Sequence, residues 1–337
     1  MNNFADKKSL RRQVSGIFWN FDEHRLRALW RLLSVVVLTA LLTFAFGAPF
    51  FMLSGAVSSP AIEKTLLYVA VLVAIWLAAR FIDKRPFSDT GIYLKKNWWI
   101  DLGFGLLLGA ALMTVVFLVE LAAGWVTISE YFYSARSGQP FMASILPPIF
   151  LFLLVGIVEE LAFRGYLLLN TAEGFKFRSL SPRTALILAW LLSSVIFGVM
   201  HAILPNATVT SSANIIIGGI WLGLGYVLTG SIAIPIGIHI TWNFFQGYVF
   251  GFPVSGGRDF SATFVAIEQG GPAAWAGGDF GPEGGLVGLL AMALGVLLVA
   301  AWVRFRYGRL RFYTAIAVGP AAEEQESLSN LSGSTEQ

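Results

Sequence analysis

The sequence predicts an all-α protein, a polytopic transmembrane helical bundle of about eight spans with both termini in the cytoplasm. Three observations support this prediction. The 337 residues are 56% hydrophobic and 13% charged, with a mean hydropathy of +0.70, whereas a soluble domain has about 25% charged residues. Apolar windows long enough to cross a bilayer recur along the chain. Lysine and arginine residues are concentrated in alternate loops between these windows.

The N-terminal residues 1–28 are polar and basic, with Ile17, Phe18 and Trp19 interspersed. This mixture predicts a cytoplasmic amphipathic helix that lies in the membrane interface and leads into the first span. The apolar stretch begins too late for a cleaved signal peptide, so we expect the first span to remain as an anchor. The transmembrane bundle is expected over residues 29–304.

Eight windows of mostly apolar residues are predicted to be the spans. In chain order they are Leu32–Leu53, Thr65–Ile82, Leu102–Val126, Ile145–Leu169, Ala185–Leu204, Ile215–Leu228, Ile232–Phe250 and Leu286–Val303. The sixth and seventh windows are short and rich in glycine. Small residues of this kind indicate close packing between membrane helices.

The distribution of lysine and arginine predicts the orientation. With eight spans, the loops on one side contain only Lys64, Arg136 and Arg258, and all the other lysines and arginines except Arg164, which lies within a span, are on the opposite side. That richer side is expected to be cytoplasmic, together with both termini. An odd number of spans would place one basic cluster outside.

Two segments differ in composition from the spans. Residues 251–285 are predicted to form a long, glycine-rich outer loop, and loops of this length are usually functional or disordered. Residues 305–337 are predicted to be a cytoplasmic tail. Its last part, residues 321–337, is polar and acidic enough to predict disorder.

Ionisable and amide side chains inside the apolar windows are the main functional signal. A charged side chain at the centre of a bilayer costs about 2.5 kcal/mol or more. The chain contains no cysteine, so thiolate nucleophiles and cysteine-ligated metals are excluded. The candidate site residues that share this placement are Glu159, Glu160, Arg164, His201, His239 and Asn243.

Glu160 and Arg164 are four residues apart with the acid first, which is the favoured order for an ion pair within a helix. Arg164 is therefore expected to neutralise Glu160. Glu159 points about 100° away from Glu160 and is expected to face a cavity, where it can act as a general base toward water. The alternative is a structural Glu–Arg clamp near the helix end.

The histidines have alternative interpretations as well. His239 and Asn243 share a helix face, so their side chains could both point at a developing oxyanion. An interhelical hydrogen bond is the alternative. His201 considered alone is more typical of a packed or interfacial residue.

Considered together, the three patches resemble a known family. Glu-Glu-x-x-x-Arg, Phe-x-x-x-His with Phe197, and His-x-x-x-Asn follow one another on separate spans within residues 145–250. This pattern is similar to the CPBP family of intramembrane proteases, which includes the CAAX prenyl endopeptidases and bacterial Abi and bacteriocin-immunity proteins. The resemblance implies hydrolysis of a peptide bond in a membrane-associated protein or peptide.

The resemblance also implies a role for each motif position. Glu159 would activate water with assistance from His201. His239 and Asn243 would stabilise the tetrahedral oxyanion.

The remaining motif positions, Glu160 and Arg164, would hold this constellation in place. Whether zinc takes part is open. His201, His239 and Glu159 offer nitrogen and oxygen ligands that zinc accepts. However, the helical His-Glu-x-x-His arrangement of common zinc proteases is absent, and a glutamate mechanism without metal needs no further ligand.

Two other classes of function stay open at this stage. Intramembrane glutamate and histidine also mark ion paths, so a transporter or proton relay is one alternative, although no inverted repeat is visible. A non-catalytic scaffold or immunity protein is the other. The expected partners are the lipid bilayer and a membrane-associated substrate, with no nucleic acid. Residues 251–256 and 278–283 are similar to a bacterial subgroup, which implies a bacterial inner membrane.

The depth of the motifs predicts where the cavity opens. At 1.5 Å per residue, Glu159 lies roughly 16 Å inside Pro148, and His239 lies roughly 16 Å inside Phe250. With cytoplasmic termini, these helix ends are on the outer side. Our hypothesis is a cavity at mid-membrane or toward the outer leaflet, and the alternative is a cytoplasm-facing cavity, which prenylated cytosolic substrates would require.

Overall fold

The structure is a computed structural model that describes residues 12–53, 60–135, 138–175, 180–258 and 261–319. The predicted disordered segment 321–337 and the first eleven residues lie outside the described residues.

Helices dominate the described part of the chain. In chain order they are α1 (Ala28–Leu53), α2 (Pro60–Leu77), α3 (Lys96–Ala122), α4 (Phe141–Glu160), α5 (Leu169–Gly174), α6 (Pro182–His201), α7 (Val209–Thr229), α8 (Ala233–Phe244), α9 (Ala273–Ala276) and α10 (Leu286–Tyr307). Stretches of π-helix extend three of them: Ala78–Ile82 after α2, Leu161–Leu168 after α4, and Phe245–Val249 after α8. Short 3-10 helices lie at Phe87–Thr90, Gly278–Phe280, Pro282–Gly284 and Thr314–Ala317.

Two small antiparallel sheets accompany the helices. They pair β1 (Trp19–Asn20) with β2 (Arg25–Leu26), and β3 (Val126–Ser134) with β4 (Ala262–Gln269). We did not predict either sheet. The third window was expected to continue to Val126, but α3 ends at Ala122 and the chain turns at Gly124, whose φ of +71° favours glycine. β4 lies inside the predicted outer loop.

Within the described residues, seven helices are long and apolar enough to cross a membrane. They confirm the prediction of a polytopic helical membrane protein. α4, its π-helix and α5 form one continuous helix of 34 residues. The predicted seventh span, Ile232–Phe250, is helical as α8 and its π-helix, but it is shorter than the seven, and most α8 side chains are buried in protein. The expected eight spans are thus seven long helices and one short internal helix.

The chain divides into two compact units, which are residues 1–90, 166–189 and 314–337, and residues 91–165 and 190–313. In the first unit, residues 12–18 are helical and the β1–β2 hairpin follows. The Glu173 carboxylate accepts hydrogen bonds from Arg25, Arg31 and Arg85 at 3.1, 2.8 and 2.6 Å. These four side chains are nearly fully buried, so charge pairing inside the protein holds the N-terminal segment.

In the second unit, α8 packs closely against α3 at two glycines of α3. A Cβ on Gly105 would lie 2.4 Å from the carbonyl oxygen of Ile234, and one on Gly109 would lie 2.5 Å from that of Ile238. Neither position has room for a larger residue. This close approach of small residues is typical of membrane helix interfaces, and it fixes the helix that carries His239.

α7, which also belongs to the second unit, has sequence signals at both ends. Thr208 and Ser211 form a reciprocal capping box at its N-terminus. Gly230 ends the helix in the left-handed conformation, with a φ of +71°. The chain then turns directly into α8, so the glycine that ends α7 also sets where α8 begins.

Candidate active site

One carboxylate oxygen connects the first and third motifs. Glu160 Oε1 accepts a hydrogen bond from Arg164 Nη1 at 2.8 Å and another from His239 Nδ1 at 2.7 Å. Glu160 and Arg164 are almost completely buried. α4 ends at Glu160 and the π-helix begins at the next residue; such π-helical segments often occur at functional sites. The expected Glu160–Arg164 pair is present, and it also holds an imidazole.

The hydrogen bond to Glu160 determines the tautomer of His239. A carboxylate accepts and does not donate, so Nδ1 carries the proton and Nε2 bears the lone pair of the neutral ring. Nε2 lies 3.8 Å from Oε2 of Glu159, which is too long for a direct hydrogen bond. The Glu159 side chain is 16% exposed, against 0% for Glu160. The adjacent glutamates are therefore distinct: one is enclosed and paired, and the other is more accessible.

Arg164 connects this pair to α6 and α7. Its Nη2 donates to the carbonyl oxygen of Gly219 at 3.1 Å. Its guanidinium carbon lies 4.6 Å from the centre of the Phe197 ring, which is a cation–π contact. A single buried arginine thus connects Glu160 with one residue of α6 and one residue of α7.

The Phe197 ring contacts both histidine rings. Its ring centre is 4.5 Å from that of His201 and 6.2 Å from that of His239. His201 Nδ1 is 2.8 Å from the Phe197 carbonyl oxygen, and because a carbonyl only accepts, Nδ1 is the donor here too. In the neutral form, each of the two imidazoles therefore has its lone pair on Nε2. The phenylalanine of the second motif is thus near the histidines of both the second and the third motif.

Asn243 is one helical turn beyond His239 on α8 and is buried. The placement on a shared face agrees with the sequence argument. Donation from His239 to an oxyanion needs a proton on Nε2 as well, because Nδ1–H is already committed to Glu160. The roles of both residues stay predictions.

The donor set does not fit a catalytic metal site. Zinc in such sites takes three protein ligands, and within the described residues no group of three or more histidine, aspartate or glutamate side chains is arranged to hold a metal ion. The Glu160–His239 contact resembles the support that a ligating histidine receives, but the same contact orients a histidine in proton transfer. No step below is therefore assigned to a metal.

Sequence reasoning assigned no role to another buried carboxylate in the same unit. Glu283, in the 3-10 helix Pro282–Gly284, is 3% exposed. Burial raises its pKa, and the hydrogen bonds from Ser255 and the charge of His201 offset part of this effect. The only sequence signal was the resemblance of residues 278–283 to a bacterial subgroup, which assigned no chemistry to the glutamate.

The long apolar helices define an integral membrane protein, and the buried polar cluster is its candidate active site. Residues 141–245 match the family model of the Rce1-like proteins, described as type II CAAX prenyl endopeptidases. The matched segment begins at the first residue of α4 and contains all six candidate residues. It confirms the resemblance stated from the motifs.

Two relatives extend the comparison. The uncharacterized protein YyaK of Bacillus subtilis is 29% identical over 202 residues, which cover 56% of this chain and 61% of that protein. CAAX prenyl protease 2 of Methanococcus maripaludis is 31% identical over 136 residues, covering 40% of this chain and 45% of that protein. The chain thus spans less than two thirds of the length of either relative. No solved structure matches the chain.

Proposed function

We propose that the protein is an intramembrane endopeptidase that hydrolyses a peptide bond of a membrane-associated protein or peptide. The observation that carries this proposal is the paired imidazole of His239, with its Nε2 3.8 Å from Oε2 of the partly exposed Glu159 side chain. A carboxylate next to an oriented imidazole is an arrangement that can activate water and stabilise the resulting charge. The match to a peptidase family supports the same reaction.

In the proposed reaction, the Glu159 carboxylate takes a proton from water as its oxygen attacks the carbonyl carbon of the substrate. Nε2 of His201 assists by accepting a hydrogen bond from the same water. The carbonyl π electrons move to the oxygen, giving a tetrahedral oxyanion. Collapse of this intermediate breaks the C–N bond, and the proton held by Glu159 passes to the leaving amine.

The oxyanion needs donors that are already in place. The Asn243 amide is one, and protonated Nε2 of His239 is the other, with the neighbouring glutamates as its counter-charge. Glu160 and Arg164 touch no reacting atom in this mechanism. They act as positioning residues, because they fix the ring of His239 and the end of α4.

The substrate class is part of the proposal. One relative is named CAAX prenyl protease 2, so a lipid-anchored peptide is the first candidate to test, with an unmodified transmembrane peptide as the comparison. The relative from Bacillus supports a bacterial inner membrane as the location. No feature of the apolar helices by itself identifies a prenyl group.

Glu159→Gln tests the proposal, since it removes the base and keeps the shape. The purified protein would be reconstituted in liposomes with a lipidated and an unlipidated quenched fluorescent peptide library, and new peptide termini would be read by mass spectrometry. We expect cleavage by the wild type and a loss of about 100-fold or more in the variant, which is the size of effect that a general base contributes. Glu130→Gln, at an exposed position on β3, is the matched control and should cleave normally.

Equal cleavage by wild type and Glu159→Gln would contradict the proposal. So would a cellular phenotype that survives Glu159→Gln unchanged, because a non-catalytic scaffold then explains the function. Proton or ion flux that depends on Glu159 in the same liposomes, with no cleavage, would instead identify a transporter.

A further inference from the structure

Two stretches of the segment 251–285 are buried among the helices of the second unit. Residues 251–256 follow the π-helix after α8, and residues 280–285 lead into α10. Every residue of the two stretches is buried except Val254 and Ser255, which are half-buried. Phe252 and Phe280 are 0% and 2% exposed and belong to the same hydrophobic core cluster as Phe197 of the second motif. We refer to the two stretches together as the plug.

Hydrogen bonds hold the two stretches of the plug to each other. The Gly256 N–H donates to the carbonyl oxygen of Phe280 at 2.8 Å. The backbone N–H and the hydroxyl of Ser255 donate to Oε1 of Glu283 at 2.6 and 2.8 Å, and the indole N–H of Trp242 on α8 reaches Oε2 at 3.4 Å. Glu283 is 3% exposed, and a buried carboxylate without partners is costly. Separation of the two stretches would remove its Ser255 donors.

Three amide side chains attach the plug to the surrounding helices. Each donates to a carbonyl oxygen of the plug: Asn206 to Gly256 at 3.1 Å, Asn214 to Gly285 at 3.3 Å and Gln246 to Pro253 at 2.6 Å. The donors lie just beyond α6, in the second turn of α7 and in the π-helix after α8. A short loop joins the end of α6 to the start of α7, and α8 returns toward the same end after the turn at Gly230. The plug thus lies across one common end of the three helices.

Close backbone contacts leave little space for the plug to shift. A Cβ on Gly256, whose φ is +77°, would overlap the carbonyl oxygen of Pro205, and one on Gly281 would overlap that of Pro253. Mobile loops typically have few buried apolar contacts and exposed backbone hydrogen bonds. The plug has the opposite properties, which indicate a fixed element and not a lid.

The helix ends that contact the plug carry two of the candidate catalytic residues. His201 is the last residue of α6, and Asn243 is the penultimate residue of α8. Trp242, whose indole reaches Glu283, directly precedes Asn243. His201 itself is only half-buried, so the plug does not enclose it completely.

We propose that the plug is a fixed wall of the catalytic site that stays in place during turnover, and that the substrate enters on the side where His201 is partly exposed. This inference rests on the endopeptidase activity proposed above. A lid, in contrast, would leave the ends of α6 and α8 with each substrate. The fixed plug therefore restricts the direction from which a substrate can approach.

A disulfide between the plug and α7 tests whether the plug moves. A Cβ on Gly284 would lie 3.2 Å from the Cβ of Ser211 in the first turn of α7, close to the separation of about 3.5–4.5 Å in disulfides. The chain contains no cysteine, so Ser211→Cys combined with Gly284→Cys has a single possible pairing within the chain. Oxidised and reduced preparations of this variant would be compared in liposomes with the cleaved peptide.

Because the disulfide adds no constraint to an element that is already fixed, kcat and KM of the two preparations should agree within about twofold. The single variant Ser211→Cys, treated in the same way, is the control for the oxidant itself. Loss of cleavage on oxidation that reduction restores would identify a lid and overturn the inference.

Gly256→Ala tests whether the plug matters to the site, because the added methyl group would displace the plug from Pro205. A shift of about 1 Å in a supporting element can lower a rate about 100-fold, so we expect cleavage to fall about 10- to 100-fold. Gly270→Ala, in the same segment, is the matched control, since the nearest atom to a Cβ there is the carbonyl oxygen of Trp125 at 3.6 Å. Normal cleavage in both variants would overturn the inference, because the segment would then be only a connection.

Hydrogen exchange of the wild type in nanodiscs adds a measurement that depends neither on cleavage nor on the folding of a variant. Peptides that cover 251–256 and 280–285 should exchange about 100-fold or more slowly than the exposed residues 270–275 of the same segment. Equally fast exchange would overturn the inference. Slow exchange together with no cleavage by the wild type would contradict the endopeptidase proposal, whereas fast exchange with normal cleavage would contradict only the fixed plug.

Discussion

Nδ1 of His239 and Nη1 of Arg164 both donate to one oxygen of Glu160, and the imidazole contact is the shorter at 2.7 Å. Seventy-nine residues separate the histidine from the glutamate, so this contact connects α8 to the end of α4. The orientation of the imidazole depends on the carboxylate, and the carboxylate depends on the arginine for charge balance. Substitution of any one of the three residues should therefore disturb the contacts of the other two.

Arg164→Met tests this dependence. The change leaves the Glu160 carboxylate buried without its cationic partner, and removing one member of a buried pair costs about 3–5 kcal/mol. We expect a loss of stability of this size, measured by denaturant unfolding in mixed micelles, together with a marked loss of cleavage. Adding Glu160→Gln should restore part of the stability and none of the activity.

The control is an exposed ion pair in the same unit. Arg258 and Asp279 are 3.4 Å apart with side chains 49% and 74% exposed, and exposed pairs contribute about 0–1 kcal/mol. Arg258→Met should therefore change stability little. Similar losses in Arg164→Met and Arg258→Met would contradict the view that Glu160 needs a buried counter-charge.

Gly156 sets the distance between α4 and α8. A larger residue at this position tests how closely Glu159 and Glu160 must approach His239. A Cβ at this position would lie 2.5 Å from Cγ1 and 3.0 Å from the backbone nitrogen of Ile240, the residue after His239. Gly156→Ala should therefore push α8 away, at a cost of about 1–3 kcal/mol for overpacking. The rate of cleavage should fall with stability.

Gly103→Ala is the matched change, because no atom lies within 4 Å of a Cβ added there. It should be neutral or stabilising by up to about 1 kcal/mol, since alanine is the better helix former. Thermal unfolding and cleavage would be measured for both variants. Normal cleavage in Gly156→Ala would show that α8 can shift without loss of the site.

Local patterns in the sequence were sufficient for part of this site. The i,i+4 spacing of Glu160 and Arg164 predicted their ion pair, and the same spacing put His239 and Asn243 on one face of α8. The contact between Glu160 and His239 could not be predicted in this way, because it depends on glycines that let α8 approach α3 and α4. Packing, and not composition, brings these motifs together.

The fold, like the site, has features with a local sequence signal and features that depend on distant contacts. Apolar windows located the long helices, since a membrane span needs only length and hydropathy. The pairing of Val126 with Gln269 joins residues far apart in sequence, and β-strand pairing of that kind carries no local signal. Glu283 was missed for the same reason: its donors on Ser255 and Trp242 are distant in sequence.

Asp83 provides a test by pH in the first unit. Its carboxylate accepts hydrogen bonds from the Tyr166 hydroxyl at 3.1 Å and the Asn170 amide at 3.2 Å. Burial raises the pKa of Asp83, although Arg31 and Arg85 partly offset this. A carboxyl with a raised pKa is protonated in the folded state at pH values where the unfolded chain is already ionised. Its contribution to stability is therefore largest at low pH and is lost as the pH rises through the folded pKa.

Asp83→Asn removes this titration. The new asparagine can still accept the hydrogen bond from the Asn170 amide through its oxygen. Its NH2 group can donate to the Tyr166 hydroxyl, which accepts as well as donates. We expect the variant to gain stability relative to wild type as the pH rises above about 4, where a free aspartate ionises. Unfolding measured from pH 4 to 8 would show the difference. A constant difference between the two proteins across this range would contradict the assignment.

The side from which His201 is reached tests the predicted depth of the cavity. Because the chain contains no cysteine, His201→Cys has a single thiol, and a membrane-impermeant thiol reagent reports its access without background. His201 is the last residue of α6, and the orientation predicted from the basic residues places this end toward the outer side. We therefore expect labelling from outside in intact cells.

Lys95→Cys serves as the cytoplasmic reference and Asp279→Cys as the outer one, both at exposed positions. Labelling of His201→Cys only in inverted vesicles, together with Lys95→Cys, would reject the outward cavity and favour substrates that approach from the cytoplasm.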